Sequence, residues 1–84
     1  SFTVEEVQQW IAEVGRIAKK QDIETNAGAL ANYLVNITGY STGEEFVLIE
    51  IADIDEACVN STLTVSKISR RTLHRYMQSL HEKF

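Results

Sequence analysis

Ser66-Lys-Ile-Ser-Arg-Arg-Thr-Leu-His-Arg-Tyr-Met-Gln-Ser-Leu-His-Glu-Lys-Phe84 closes the chain, and its period decides how the rest is read. Leu73, Tyr76, Met77, Leu80 and Phe84 recur at three- and four-residue steps, as one face of an amphipathic helix does. Ser69 is of the residue type that caps such a helix. Arg71, His74, Arg75, Gln78 and Glu82 lie away from the stripe. The same stretch carries five basic residues (Lys67, Arg70, Arg71, Arg75, Lys83) against one acidic, a net of +4. Residues 1–65 carry three basic against eleven acidic, a net of −8. A chain of net charge −4 has therefore collected its positive charge on one predicted helix, which points to a polyanionic partner.

Helical signals continue toward the N-terminus. Thr3 and Glu6 have the spacing of a capping box, in which each side chain satisfies a free backbone N–H at the helix start. Phe2 and Val7 are placed for a hydrophobic staple across it. Val7, Trp10, Ile11, Val14, Ile17 and Ala18 form one apolar stripe, so a first helix is expected from about Val4 to about Lys20. A second helix is expected to start near Thr25 or Asn26, with Leu30, Ala31, Leu34 and Ile37 as its apolar face and Gly39 as its stop. Residues 44–52, Glu-Glu-Phe-Val-Leu-Ile-Glu-Ile-Ala, are an apolar run compatible with helix or extended loop. A strand there would have no partner elsewhere in the sequence. Asp53 with Glu56 repeats the cap spacing, and Ile54, Ala57 and Cys58 supply one face of a short third helix. Asn60 to Ser66 reads as a connection. These elements predict an all-α fold, a small four- to five-helix orthogonal bundle, forming a single domain over residues 1–84.

Composition narrows the function classes. Eighty-four residues suffice for one modest core. No apolar run approaches the roughly 18–20 residues of a membrane span, and Ser1-Phe-Thr-Val-Glu-Glu6 has neither the basic nor the apolar region of a secretory signal. An intracellular, cytoplasmic protein is expected, without a membrane partner. The single cysteine, Cys58, excludes an internal disulfide and reads as a buried thiol. His74 and His81 are two turns apart on one predicted helix, about 10 Å by helix rise, so they cannot share a metal ion. No glycine-rich phosphate loop, serine elbow or Cys/His cluster is present. No catalytic residue, metal ligand, cofactor or small-molecule ligand is expected, and the domain alone is not expected to be an enzyme.

The basic helix remains as the candidate site. Ser69-Arg-Arg-Thr72 would place free backbone N–H groups and short hydroxyls at a helix start, where a phosphate can bind. Arg71 and Arg75 share a face, and arginine makes bidentate contacts to phosphate or to guanine in the major groove. The competing possibility is that these cations pair with the acids elsewhere in the chain.

At this point the order of elements resembles the core-binding, SAM-like N-terminal domain of phage integrases and other tyrosine recombinases. Leu48-Ile-Glu-Ile51, Asp53-Ile54 and Ser69-Arg-Arg-Thr-Leu-His-Arg-Tyr-Met-Gln-Ser-Leu-His-Glu-Lys-Phe84 look like the closing parts of that domain. Thr3-Val-Glu-Glu-Val-Gln-Gln-Trp10 looks like its opening helix. The resemblance implies a domain that helps clamp double-stranded DNA within a longer recombinase, in company with other copies of the parent protein. The catalytic residues would lie in a domain absent from this chain. Lys67, Ser69, Arg70, Arg71, Thr72 and Arg75 match the region that approaches DNA, with His74 beside them on the polar face. The departures are Glu24-Thr-Asn26, where the family shows a Ser-x-x-Thr helix start, a loop from Asn60 to Lys67 without glycine, and the overall acidity. Two other readings stay open. One is a helix-turn-helix regulator, with Ile51–Val59 supporting a recognition helix from Ser69. The other is a SAM-like protein-interaction module.

Overall fold

Helix α1 (Val4–Ala18) begins at the capping box that the sequence spells out. In this computed structural model the Glu6 N–H donates to Thr3 Oγ1 at 3.1 Å and the Thr3 N–H to Glu6 Oε1 at 2.9 Å. Residues 1–83 are described, Lys83 through its backbone only; Phe84, the predicted end of the C-terminal stripe, lies outside the described residues. Val7, Trp10, Ile11 and Val14 are buried, whereas Ile17 is exposed. The helix stops short of the expected Lys20. Lys19 turns left-handed (φ 56°), and the Lys20 N–H donates to the Gly15 carbonyl at 2.8 Å.

That sharp turn leads into α2 (Gln21–Thr25), a short helix lying between the first two that the sequence predicts. Ile23, its one apolar residue, is fully buried. Gly15 allows the approach of the two helices. A Cβ added there would lie 2.8 Å from the Glu24 nitrogen and 2.9 Å from the Glu24 Cβ. Gly15→Ala is therefore expected to lower stability by about 1–3 kcal/mol through overpacking, although alanine in an open helix interior would gain about 1 kcal/mol. Urea denaturation checks this; a neutral or stabilising result would mean that α1 and α2 do not pack this closely.

Helix α3 (Ala27–Asn32) starts close to the predicted place and runs on as a π-helical turn over Tyr33–Thr38. Leu30, Ala31 and Leu34 are buried as expected, but Ile37 is 63 % exposed. The wider π turn rotates it off the apolar face that a uniform α-helical period would keep it on. Gly39 (φ 93°) ends the turn, with its N–H donating to the Leu34 carbonyl.

The ambiguous run resolves into two helices. α4 (Gly43–Val47) has its own capping box, Thr42 with Glu45, and sends Phe46 into the core with no exposed surface. Phe46 packs against the Phe2 ring at 6.0 Å and the Tyr40 ring at 5.5 Å. The Tyr40 hydroxyl donates to Asp53 Oδ2 at 2.7 Å. Burial, and then the adjacent Asp53 carboxylate, push its phenol up to about 12. α5 (Ile51–Asn60) starts earlier than expected, with Glu50 at the cap position. Asp53 sits three residues inside the helix, where its Oδ2 accepts from the Glu50 N–H at 3.0 Å. Ile54, Ala57 and Cys58 form the buried face, as predicted.

Residues 61–66 lead to α6 (Lys67–Met77), and a turn at 78–79 separates it from α7 (Leu80–Lys83). The one continuous C-terminal helix that the stripe predicts is thus two. Leu73, Met77 and Leu80 are fully buried. Tyr76 is half-buried and packs edge-on against Trp10 with ring centroids 6.4 Å apart. The indole N–H donates to the Tyr76 carbonyl at 3.3 Å, tying α1 to the end of α6. The all-α expectation holds: seven α-helices and one π turn, with no strand among the described residues, in place of four to five longer helices. The Cα radius of gyration, 10.9 Å, is close to the roughly 12 Å of a single folded unit of this length. No helix is long and apolar enough to cross a membrane, among the described residues.

Candidate functional site

Asp22 of α2 holds the start of helix α6 in place. Ser66, not Ser69, is its cap, and Ser66 Oγ accepts from the Ser69 N–H at 3.1 Å. Ser69 sits inside the first turn, 1 % exposed, and its hydroxyl donates to Asp22 Oδ1 at 2.7 Å. Asp22 Oδ2 accepts from the Ser66 N–H at 2.9 Å. A carboxylate of α2 therefore already occupies the start of α6, where negative charge is favoured. The expected phosphate contact by Ser69, Thr72 and the free N–H groups is corrected accordingly. Ser69 and Thr72 (7 % exposed) are buried, and a second anion at this end would meet Asp22.

Partial burial is the largest single influence on Asp22 and raises its pKa. Hydrogen bonds from the Ser66 N–H, the Ser69 hydroxyl and the Ile23 N–H together outweigh it and hold the carboxyl below its usual 3.8. A depressed folded-state pKa contributes stability above the unfolded value and loses it as pH falls through the folded value. Asp22→Asn is expected to cost about 1.5–3 kcal/mol at neutral pH, the range for hydrogen bonds to a charged group. The gap to wild type should narrow below pH 3.8. Urea midpoints at pH 7 and in acid measure both, and a gap that stays constant into acid would rule out the charged carboxylate as its source.

A further contact of α6 is made by His74, whose Nε2 lies 2.8 Å from the Ile49 carbonyl oxygen. A carbonyl only accepts, so Nε2 carries the proton. His74 thereby holds the turn between α4 and α5 against α6, with its ring half-buried.

The remaining predicted residues fall into two groups. Arg70 is half-buried; its Nε–H donates to Asp55 Oδ1 at 2.7 Å and its Nη1–H to the Val65 carbonyl at 2.6 Å. This arginine does pair with an acid of the body, as the competing possibility has it, and two of its N–H groups are taken. Lys67, Arg71 and Arg75 are exposed, and none has a carboxylate within 4.0 Å among the described residues. Their four-residue spacing sets them in a row about 12 Å long on one face of α6.

Beside the row, Ile51 and Asp55 of α5 face Lys67, Arg70 and Arg71 of α6 across a cleft of about 150 Å³. Asp55 and Ile51 were not recognisable from the sequence as neighbours of the basic helix. Ser69 was: counting back four from Leu73 puts it on the core stripe, which argues against an exposed cap. Cys58 is buried, and burial raises its thiol pKa. No three His, Cys, Asp or Glu side chains are grouped to hold a metal ion, among the described residues. The connection at residues 61–66 exceeds the three or four residues of a helix-turn-helix turn. No protein-family model, curated protein or solved structure matches the chain.

Proposed function

We propose that the chain is a duplex-DNA-binding module in which the exposed face of α6 lies against the phosphate backbone. The observation that carries this is the row Lys67, Arg71 and Arg75, which stays unpaired among the described residues although the chain holds twelve acids. Acids in such excess would neutralise these cations if pairing were their use. Arg70, one position away in sequence, shows that pairing is available to this helix. Phosphate contacts of this kind position a protein on DNA without reading its sequence. The resemblance to the core-binding domain of tyrosine recombinases supplies the setting: a module that helps clamp a DNA site for a catalytic domain elsewhere in a longer protein.

The test is fluorescence anisotropy with a labelled duplex at several salt concentrations. Two to three neutralised phosphates give a log–log slope of about −1.8 to −2.7. Arg71→Ala with Arg75→Ala is expected to bring the slope to about −0.9 or flatter. No binding at low salt, or a slope unchanged in the double variant, would overturn the proposal.

A further inference from the structure

We propose that the cleft between α5 and α6 is a phosphate-binding site, with Arg70 as its preset ligand and Lys67 and Arg71 as closing cations. The source of the phosphate, a backbone diester of the duplex, rests on the proposed DNA reading; the site itself does not.

Arg70 is the most constrained cation of α6. Asp55 Oδ1 and the Val65 carbonyl each take one of its N–H groups, at 2.7 and 2.6 Å. A guanidinium has five N–H donors, so three remain for a ligand. Its side chain is 26 % exposed. The rotamer is therefore selected before any ligand arrives, and less entropy is lost on binding than for a free arginine. Lys67 and Arg71 line the same cleft and are exposed, free to close on an anion. Three cations face one carboxylate there, a local charge of +2. Ile51 forms an apolar part of the wall, which displaces water and strengthens the electrostatics. Asp55 orients Arg70 from the side and neutralises one unit of charge. With Asp22 occupying the start of α6, the anion site moves from the helix axis to its α5 flank.

Arginine side-chain ¹⁵N NMR tests the site directly, by titrating inorganic phosphate at constant ionic strength. The Arg70 Nε–H resonance is expected to shift and saturate with a Kd of about 1–10 mM, while that of Arg75 stays in place. Asp55→Asn keeps a carbonyl acceptor for Arg70 and removes the repulsion, so phosphate should bind about three- to tenfold more tightly. A purely structural Arg70–Asp55 pair predicts no such gain. An Arg70 resonance that does not saturate, or an affinity unchanged in Asp55→Asn, overturns the site. The two proposals separate cleanly. Duplex binding with an unmoved Arg70 overturns the site and keeps the DNA reading. Phosphate binding at Arg70 without duplex binding overturns the DNA reading and keeps the site.

Discussion

Phe46→Ala is expected to cost about 3–5 kcal/mol, the range for truncating a buried phenylalanine. A domain of this length has a total stability of about 4–13 kcal/mol, so the variant would be marginally folded or unfolded at 37 °C. Phe46 is fully buried and its ring sits between Phe2, ahead of α1, and Tyr40, ahead of α4. Its removal would leave a cavity at the place where the N-terminal arm, the Tyr40 turn and α4 meet. The neighbours are poorly free to fill it. Tyr40 is tethered to Asp53, and the Phe2 N–H donates to the Ser41 carbonyl. Urea denaturation followed by circular dichroism measures the loss. A cost under about 0.5 kcal/mol, the level of an exposed site, would mean that residues 44–47 do not dock as a helix against this core.

Reversing two charges on α6 is the second large effect. Arg71→Glu with Arg75→Glu should weaken duplex binding by at least about 100-fold. Two charge-assisted contacts are lost at about 1.5 kcal/mol each, and each 1.4 kcal/mol is about tenfold. Repulsion from the new carboxylates adds to this. Both side chains are exposed and have no carboxylate partner among the described residues. Stability should therefore move by no more than about 0.5 kcal/mol. Lost binding in a variant with an unchanged urea midpoint assigns the effect to contact. Retained binding would place the DNA surface elsewhere on the molecule.

Local signals account for what was legible in the sequence. The Thr3–Glu6 box, the Val7–Val14 stripe and the Gly39 stop depend only on residues within a turn or two of each other, and each lies where it was expected. Failures occurred where a local signal was doubled or missing. Ser66 and Ser69 both qualify as caps, and only packing against Asp22 distinguishes them. The spacing of Asp53 with Glu56 suggests a cap, yet the Asp53 carboxylate reaches back to Glu50. Five residues with one apolar member, Gln21–Thr25, have too little period to announce a helix. Within the candidate site, the Lys67, Arg71 and Arg75 row follows from spacing alone. The pairing of Arg70 with Asp55 and of Ser69 with Asp22 does not, because those partners lie 15 and 47 residues apart. Which of twelve acids meets which cation is decided by the fold.

The most direct measurement is the salt dependence of duplex affinity for the wild-type domain beside Arg71→Ala with Arg75→Ala. The expected result is a wild-type log–log slope of about −1.8 to −2.7 that flattens to about −0.9 or less in the variant, with equal urea midpoints. Equal slopes in the two proteins, or no wild-type binding at low salt, would contradict a DNA-binding face on α6.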